Sequence, residues 1–230
     1  MSLLDFIFPK KCVNCKKFGE FLCPDCFSKI SFIDNFQCPV CLKGAIDGLT
    51  HPVCRDKYSI DGVASIVVYN SITRKLIKQF KYRPYVSRLS EIIGEVINEG
   101  LSQNEGFYNF IQRLEPVIVP IPLSSGRLRE RGYNHAEKIA SQVAKNFELK
   151  IEPRILVRIK ETKPQFKLSK KERLENIRGA FGIRENQQVS NSVVLIDDVA
   201  TTYATLKEAA KVLKSAGAKR VLGVTFAREI

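Results

Sequence analysis

The sequence lacks any long apolar run. No stretch of about 18 uninterrupted apolar residues, the length that a membrane-spanning helix requires, occurs among its 230 residues. Residues 1–9 are too short for a secretory signal peptide with its cleavage site. With 44% apolar residues, the chain is long enough to bury an ordinary core. We therefore expect a globular protein of the cytoplasm that is not an integral membrane protein.

Cysteine is absent after residue 54, since all seven cysteines lie between residues 12 and 54. A secreted protein held together by disulfides would not confine its cysteines in this way. Such crowding is typical of a metal-binding module in a reducing compartment. The first 57 residues are accordingly interpreted as a separate zinc module, and residues 58–230 as a second domain.

The cysteines form three CxxC pairs, and a histidine and the last cysteine form a fourth pair with the same spacing. Two thiolates on a tight turn can bind one metal ion, so eight ligands make two tetrahedral zinc sites. Both sites are closed by protein ligands and should be structural. The predicted ligands are Cys12, Cys15, Cys23, Cys26, Cys38, Cys41, His51 and Cys54.

Several alternatives to this zinc assignment remain open from the sequence. The simplest arrangement joins the first two ligand pairs in one zinc ribbon and the last two in another. A crossed arrangement of the four pairs also satisfies the spacing. His51 could be a bystander, which would leave three ligands at the second site. Free cysteines and iron–sulfur ligation are further alternatives.

Acidic residues are scarce relative to basic ones: 24 against 37, a net charge of +13. Such a charge attracts phosphate-rich partners at low salt. Charge alone does not name the partner, because a plainly solvating surface would give the same balance.

From residue 61 onward, apolar segments with strand and helix periodicity alternate. Strands are predicted over residues 62–69, 116–121, 193–196 and 221–226. Helical faces are predicted from Ile72, Leu76 and Phe80, and from three further sets after residue 88. Gly217 is expected to end the last helix. The alternation predicts an α/β fold with a mainly parallel sheet flanked by helices. Residues 158–178 break this rhythm and are predicted to form a basic mobile loop with one or two helical turns.

Residues 193–205, VVLIDDVATTYAT, place two carboxylates after a buried strand, followed by a hydroxyl-rich turn and a helix start. Open α/β sheets bind ligands at this edge. Backbone N–H groups and the hydroxyls of Thr201, Thr202 and Thr205 can cradle a phosphate. Asp197 and Asp198 can accept hydrogen bonds from ribose hydroxyls or approach Mg²⁺. The alternative is a capping turn whose acids balance the helix dipole.

This segment resembles the 5-phosphoribosyl pyrophosphate (PRPP) motif of type I phosphoribosyltransferases. The four metal-ligand pairs and residues 76–82, 119–136 and 156–181 resemble the ComF/ComFC competence family, over nearly the whole chain. The resemblance implies binding of PRPP with magnesium, besides structural zinc. It also implies a role in natural transformation, where imported single-stranded DNA is handled on the cytoplasmic side of the membrane, peripheral to the inner membrane and alongside other DNA-uptake proteins. It assigns catalysis to Asp197 and Asp198, and PRPP binding to Thr201, Thr202, Tyr203, Ala204, Thr205, Arg127 and Arg131.

One residue departs from the motif: Tyr203 stands where glycine is usual. Glycine lets the backbone approach phosphate and adopt conformations that other residues disfavour. Phosphoribosyltransferase activity is therefore left open. The alternative function is a non-catalytic module that keeps the PRPP fold and binds single-stranded DNA or protein.

Other residues are assigned with their alternatives. Arg127, Arg129 and Arg131 follow a strand where the resemblance places the pyrophosphate loop, and a solvated basic face is the alternative. His135 is interpreted as a cap or surface residue, and Lys81 as part of a largely solvated basic strip. Gln165 and Lys167 are proposed as contacts at the tip of the basic loop. Tyr82, Tyr85 or Phe166 offer surfaces on which bases could stack. The zinc module is proposed to cover the acceptor side of the site.

Overall fold

The computed structural model describes residues 10–82, 86–162 and 169–229. Its strands are β1 (Gly62–Val68), β2 (Val117–Pro120), β3 (Leu156–Arg158), β4 (Phe181–Ile183), β5 (Ser192–Ala200) and β6 (Arg220–Arg228). Its α-helices are α1 (Pro24–Phe27), α2 (Ser71–Lys81), α3 (Val86–Ser102), α4 (Glu105–Leu114), α5 (Ser125–Arg131), α6 (His135–Phe147), α7 (Lys170–Ile177) and α8 (Ala204–Ser215).

Four strands form one sheet in the order β1-β6-β5-β2, and every neighbouring pair in it is parallel. The predicted mainly parallel α/β sheet is therefore confirmed. Its two central strands are almost wholly buried, as expected for strands covered by helices on both faces. Side chains of β5 alternate between two cores: Val194 and Ile196 pack into one, and Val193 and Leu195 into the other.

Helices α2, α3 and α6 cover one face of the sheet, and α8 with the β3–β4 hairpin covers the other. The predicted face of α2 is correct, since Ile72, Leu76 and Phe80 are all buried. The helix begins at an Asn70 cap whose side chain accepts the backbone N–H groups of Ile72 and Thr73, which satisfies donors that would otherwise be unpaired. At its other end, α2 finishes at Lys81, which contacts Asp198 near the end of β5.

Residues 158–178, predicted as a basic loop with one or two helical turns, begin at the last residue of β3 and contain helix α7, whose eight residues make about two turns. β3 pairs with β4 in an antiparallel hairpin, with Arg158 opposite Phe181. Helix α7 follows a capping box formed by Ser169 and Glu172. The proposed contact residues Gln165, Phe166 and Lys167 lie outside the described residues, as does Tyr85.

The zinc module packs directly on the sheet domain. Phe32 bridges to Val67 of β1, and the Ile33 N–H donates to the Ile66 carbonyl at 2.9 Å. Apolar residues of the first zinc ribbon, among them Leu22, belong to the same hydrophobic core as α2 and α3. The separation of residues 1–57 from 58–230 thus stays a prediction about sequence units, whereas the structure gives them one continuous core.

A buried acid fixes the end of the sheet opposite the candidate site. The carboxylate of Asp61 accepts Lys214 Nζ at 2.8 Å, Arg220 Nη1 at 3.1 Å and the Val221 N–H at 2.8 Å. Asp61 is buried, and so is the Lys214 side chain. The interaction ties the chain before β1 to α8 and β6.

Replacing Asp61 by alanine should lower the free energy of unfolding by about 3–5 kcal/mol, because it leaves the buried Lys214 ammonium unpaired. Urea denaturation of the zinc-loaded protein measures this change. Glu91, which pairs with Arg88 at 3.6 Å on the exposed side of α3, provides the control: Glu91→Ala should cost less than about 1 kcal/mol. Equal effects of the two substitutions would contradict the role assigned to Asp61.

Candidate functional site

The candidate site lies where β5 ends and α8 begins. A small open cleft there is lined by Asp197, Val199, Ala200, Thr201, Tyr203, Ala204, Thr205 and Leu206. The strand extends past its predicted end at residue 196 to Ala200. Asp197 and Asp198 therefore lie within the strand, where consecutive side chains point to opposite faces. Asp197 lines the cleft, whereas Asp198 is buried on the α2 and α6 side.

Asp198 is held by two basic side chains. Lys81, the last residue of α2, forms an ion pair with its Oδ2, and His135 Nε2 lies 3.4 Å from its Oδ1. Arg131 Nη1 donates to His135 Nδ1 at 3.1 Å. Burial alone would raise the pKa of Asp198, but Lys81 and His135 hold it well below its ordinary value.

The two neighbouring carboxyl groups have unequal proton affinities. Burial, and then the negative charge of Asp198, raise the pKa of Asp197 to about 8. The backbone N–H of Asp198 donates to Asp197 Oδ1 at 2.8 Å, which opposes this rise. The pair thus carries one firmly held negative charge on the buried acid, while the acid facing the cleft is the one that changes protonation near neutral pH.

The interpretations of Lys81 as largely solvated and of His135 as a cap or surface residue are wrong. The Lys81 side chain is only 24% exposed, and His135 is buried beside Asp198. Asn134 provides the cap of α6 instead, with its side chain accepting the Ala136 N–H. Burial lowers the pKa of His135, although Asp198 opposes this effect. One signal in the sequence pointed to the burial of Lys81: it directly follows Phe80, the last residue of the buried face of α2.

Tyr203 adopts the backbone conformation for which glycine is usual. Its φ is 57° and its ψ is 12°, the left-handed region. The ring is buried, and the guanidinium carbon of Arg228 lies 5.2 Å from its centroid, a cation–π contact. Anchoring of the side chain below the turn offsets the cost of this conformation, about 1–2 kcal/mol. The turn therefore keeps its glycine-like path.

Two hydroxyl groups of the turn differ in environment. The Oγ1 of Thr202 is buried and has no hydrogen-bond partner among the described residues. Thr201 is half-buried and lines the cleft. A buried hydroxyl without a partner is uncommon in proteins, and a phosphate oxygen is one group that would satisfy it.

The predicted pyrophosphate arginines lie on α5, after β2. Arg131 contacts His135 and the ring of Tyr82, whose centroid is 5.9 Å from its guanidinium carbon. Arg127 is close enough to Arg158 for its charge to lower the pKa of that guanidinium, after burial as the larger cause. The charge of Asp197 opposes this effect, so Arg158, the first residue of the predicted basic loop, lies near both Arg127 and Asp197.

A carboxylate occupies the start of α5. Glu161 Oε1 accepts the Gly126 N–H and the Ser125 hydroxyl, both at 3.2 Å. These bonds, the one from Gly126 first, lower the pKa of Glu161. An amide and a hydroxyl that bind a carboxylate also suit a phosphate oxygen. No local pattern indicated Glu161, because the contact joins residues 35 positions apart.

The structure groups the zinc ligands by consecutive pairs. The ligand atoms of Cys12, Cys15, Cys23 and Cys26 lie within 4.8 Å of one another, and so do those of Cys38, Cys41, His51 and Cys54. His51 Nε2 bonds the Gly44 carbonyl at 2.9 Å, and its Nδ1 lies 3.3 Å from Cys41 Sγ. This orientation turns Nδ1 toward the metal position, as metal-bound histidines do.

One thiol of each cluster has a lowered pKa, whereas burial raises the pKa of another, that of Cys23 to about 12 and that of Cys54 to about 11. Burial opposes ionisation of Cys12, but backbone N–H groups of Cys23, Cys15 and Asn14 lower its pKa to about 6. Cys38 behaves in the same way, with a pKa of about 7. Zinc binds thiolates, so backbone donors aimed at sulfur fit the metal. Structural zinc is therefore supported at both clusters.

Replacing one ligand in either cluster should remove one of the two zinc ions. We expect Cys12→Ser, Cys38→Ser and His51→Ala each to lower the zinc content from two per chain to one, because the remaining three ligands bind zinc much more weakly. Atomic absorption on purified protein measures the stoichiometry. Ser28→Ala, an exposed change beside the first cluster, should retain both ions. Full zinc content in His51→Ala would show that His51 is a bystander.

The second zinc ribbon borders the turn after β5. Gln37, next to the ligand Cys38, accepts a hydrogen bond from Arg228, the same residue that covers the Tyr203 ring. Lys207 of α8 lies near Cys38: burial lowers the pKa of Lys207 and the thiol opposes this. The zinc module thus lies beside the end of the sheet that carries the candidate site.

Comparison with known proteins identifies relatives of both parts of the chain. Residues 3–57 match the family model described as a double zinc ribbon domain. Competence protein ComFC of Bacillus subtilis is 30% identical over 212 residues, which cover 86% of this chain and 80% of that protein. Competence protein F of Haemophilus influenzae is 34% identical over 111 residues, 47% of this chain and 48% of that protein.

A third relative carries a different name. DNA utilization protein YhgH of Escherichia coli (strain K12) is 30% identical over 104 residues, which cover 45% of each chain. This chain therefore spans most of the Bacillus relative and about half the length of the other two. Within the described parts of the chain, every helix is too short or too polar to cross a membrane.

Proposed function

The chain belongs to the ComF/ComFC family of competence proteins, and from this membership we propose that it binds a ribose 5-phosphate ligand of the PRPP type at the end of β5 and serves DNA uptake. The names of its relatives, competence protein and DNA utilization protein, support the second part. We propose the cytoplasm as its location and other DNA-uptake proteins as partners.

The observation that carries ligand binding is the conformation of the turn. Tyr203 holds a left-handed φ of 57°, provides no side-chain cap and leads directly into α8. The start of a helix is where backbone N–H groups bind phosphate. The hydroxyls of Thr201 and Thr205 line the same cleft. The geometry therefore favours retention of phosphate binding despite the missing glycine.

The remaining parts of a PRPP-type ligand have suitable neighbours. Asp197 offers a partly buried carboxyl group to ribose hydroxyls or to a magnesium ion bound with the ligand. Magnesium would neutralise part of the charge of the pyrophosphate. Arg158 lies near both Arg127 and Asp197, and guanidinium groups suit the pyrophosphate oxygens. The carboxylate of Glu161 accepts the N–H group at the start of α5 and would compete with the pyrophosphate for it.

Calorimetric titration with Mg²⁺-PRPP tests the proposal. We expect binding by the zinc-loaded wild type, and at least tenfold weaker binding, about 1.4 kcal/mol, by Asp197→Asn. Glu161→Gln should bind more tightly, because it weakens the internal competitor. Tyr203→Gly should bind within a few-fold of the wild type, because the turn already follows a glycine-like path.

Glu137→Gln is the matched control, since it removes an exposed carboxylate from the outer side of α6. It should bind like the wild type. Absence of binding by the wild type together with binding by Tyr203→Gly would show that Tyr203 has disabled the site. Equal affinity of the wild type and Asp197→Asn would contradict the role of Asp197. An acceptor screen then decides whether the bound ligand is also a substrate.

A second candidate function is binding of single-stranded DNA along α5. The Tyr82 ring is 52% exposed and stacks with Arg131, which gives a base a platform with a cation beside it. Arg129 is exposed on the same short helix. The net charge of +13 would draw a phosphate backbone to this surface. Both functions can coexist in one protein, because neither Tyr82 nor Arg129 is among the residues that line the cleft.

Tyr82→Ala should weaken binding of a labelled oligothymidine by about 1–3 kcal/mol, measured by fluorescence anisotropy. Tyr108→Ala is a close control, since Tyr108 is also 52% exposed but lies on α4. Arg129→Gln should reduce the slope of log affinity against log salt by about 0.7 between about 50 and about 200 mM salt. Equal losses for Tyr82→Ala and Tyr108→Ala would place the DNA elsewhere.

The cover for the acceptor side of the site is proposed to come from the second zinc ribbon. The bond between Gln37 and Arg228, and the proximity of Cys38 to Lys207, bring the ribbon beside the turn. The hypothesis required the zinc module to lie near the end of β5, and this contact meets that requirement.

A further inference from the structure

Three metal-ligating side chains converge behind the cleft. The ligand atoms of His135, Asp197 and Asp198 lie within 4.8 Å of one another. One imidazole and two carboxylates are a donor set that suits Mn²⁺ and related divalent cations. The negative charge on the buried carboxylate of Asp198 attracts a cation strongly, because burial limits screening.

A cation of the chain already occupies this place. The ammonium of Lys81 is seated on Asp198 Oδ2, while the other oxygen of that carboxylate faces His135 at 3.4 Å. The Lys81 side chain is about three-quarters buried, with 24% exposed. A divalent ion and this ammonium would repel each other and compete for the same oxygen.

The position of Lys81 is fixed by its helix. Residues of α2 on the buried face, ending with Phe80, pack in the core, and the hydroxyl of Tyr133 donates to the Phe80 carbonyl next to Lys81. Lys81 is the last residue of α2, where the negative end of the helix dipole favours a cation. The ammonium therefore does not depend on a flexible loop for its placement.

We propose that Lys81 is a positioning residue. Its ammonium occupies the carboxylate of Asp198 and so blocks a divalent-cation site that His135, Asp197 and Asp198 would otherwise form. Free divalent ions are then excluded from the ligand-free protein. Asp197 is left as the acid of this pair that meets a ligand in the cleft. This second consequence rests on the proposed function. The site would then prefer an anionic ligand that already carries magnesium to a free magnesium ion.

Titration of the zinc-loaded protein with Mn²⁺ alone, followed by the electron paramagnetic resonance signal of free Mn²⁺, tests the exclusion. Lys81→Met should bind Mn²⁺ at least tenfold more tightly than the wild type. Lys81→Arg should behave like the wild type, because it restores the cation. Lys78→Met, an exposed lysine of the same helix, should change nothing. Lys81→Met/His135→Ala should lose the gained binding, because a ligand is removed.

Several outcomes would overturn the inference: tight Mn²⁺ binding by the wild type, no gain in Lys81→Met, or retention of the gain after loss of His135. Lys81→Gln, which keeps a polar side chain, replaces Lys81→Met if circular dichroism shows that the latter does not fold. A merely structural ion pair would alter stability without creating a Mn²⁺ site. Gain of Mn²⁺ binding in Lys81→Met, together with silence of the wild type toward Mg²⁺-PRPP, would leave this inference standing and defeat the proposed function.

Discussion

Strand β5 is hydrogen-bonded to β6 over its whole length, with Ser192 opposite Arg220 and Ala200 opposite Arg228. This pairing continues the strand through both acids, and neighbouring side chains of a strand leave it on opposite faces, although the ligand atoms of Asp197 and Asp198 still lie within 4.8 Å of each other. One acid then enters the cleft and the other meets α2 and α6. The unequal charges of the pair, the burial of His135 and the contact with Lys81 all follow from this constraint.

The zinc module and the sheet share their interior. The first ribbon packs on α2, where Lys75 Nζ donates to Asn14 Oδ1 at 2.9 Å, and α2 carries Lys81 to Asp198. The second ribbon reaches Arg228, which supports the ring of Tyr203. Each ribbon therefore contacts an element that holds residues around the candidate site, α2 in the first case and β6 in the second.

The sequence predicted what depends on local patterns. Periodicity identified the main strands and the faces of α2, α6 and α8, and the spacing of the cysteines identified the two metal clusters, because knuckle geometry is local. Contacts between distant residues were not predictable in this way. The ion pair between Lys81 and Asp198 depends on how α2 packs, and the hairpin of β3 with β4 consists of three-residue strands too short for a clear alternation. The site assignments at the turn stay predictions that the proposed experiments address.

The first zinc cluster has a thermodynamic consequence that reaches beyond its own ribbon. Cys12, Cys23 and Cys26 are buried in the same hydrophobic core as β1, α2 and α6, so the metal binds the folded form of the entire chain far better than the unfolded form. By mass action, the free zinc concentration of the compartment then contributes to the folding equilibrium of the whole chain. The availability of one metal ion in the cell thereby influences how much of the population has a formed cleft at the end of β5.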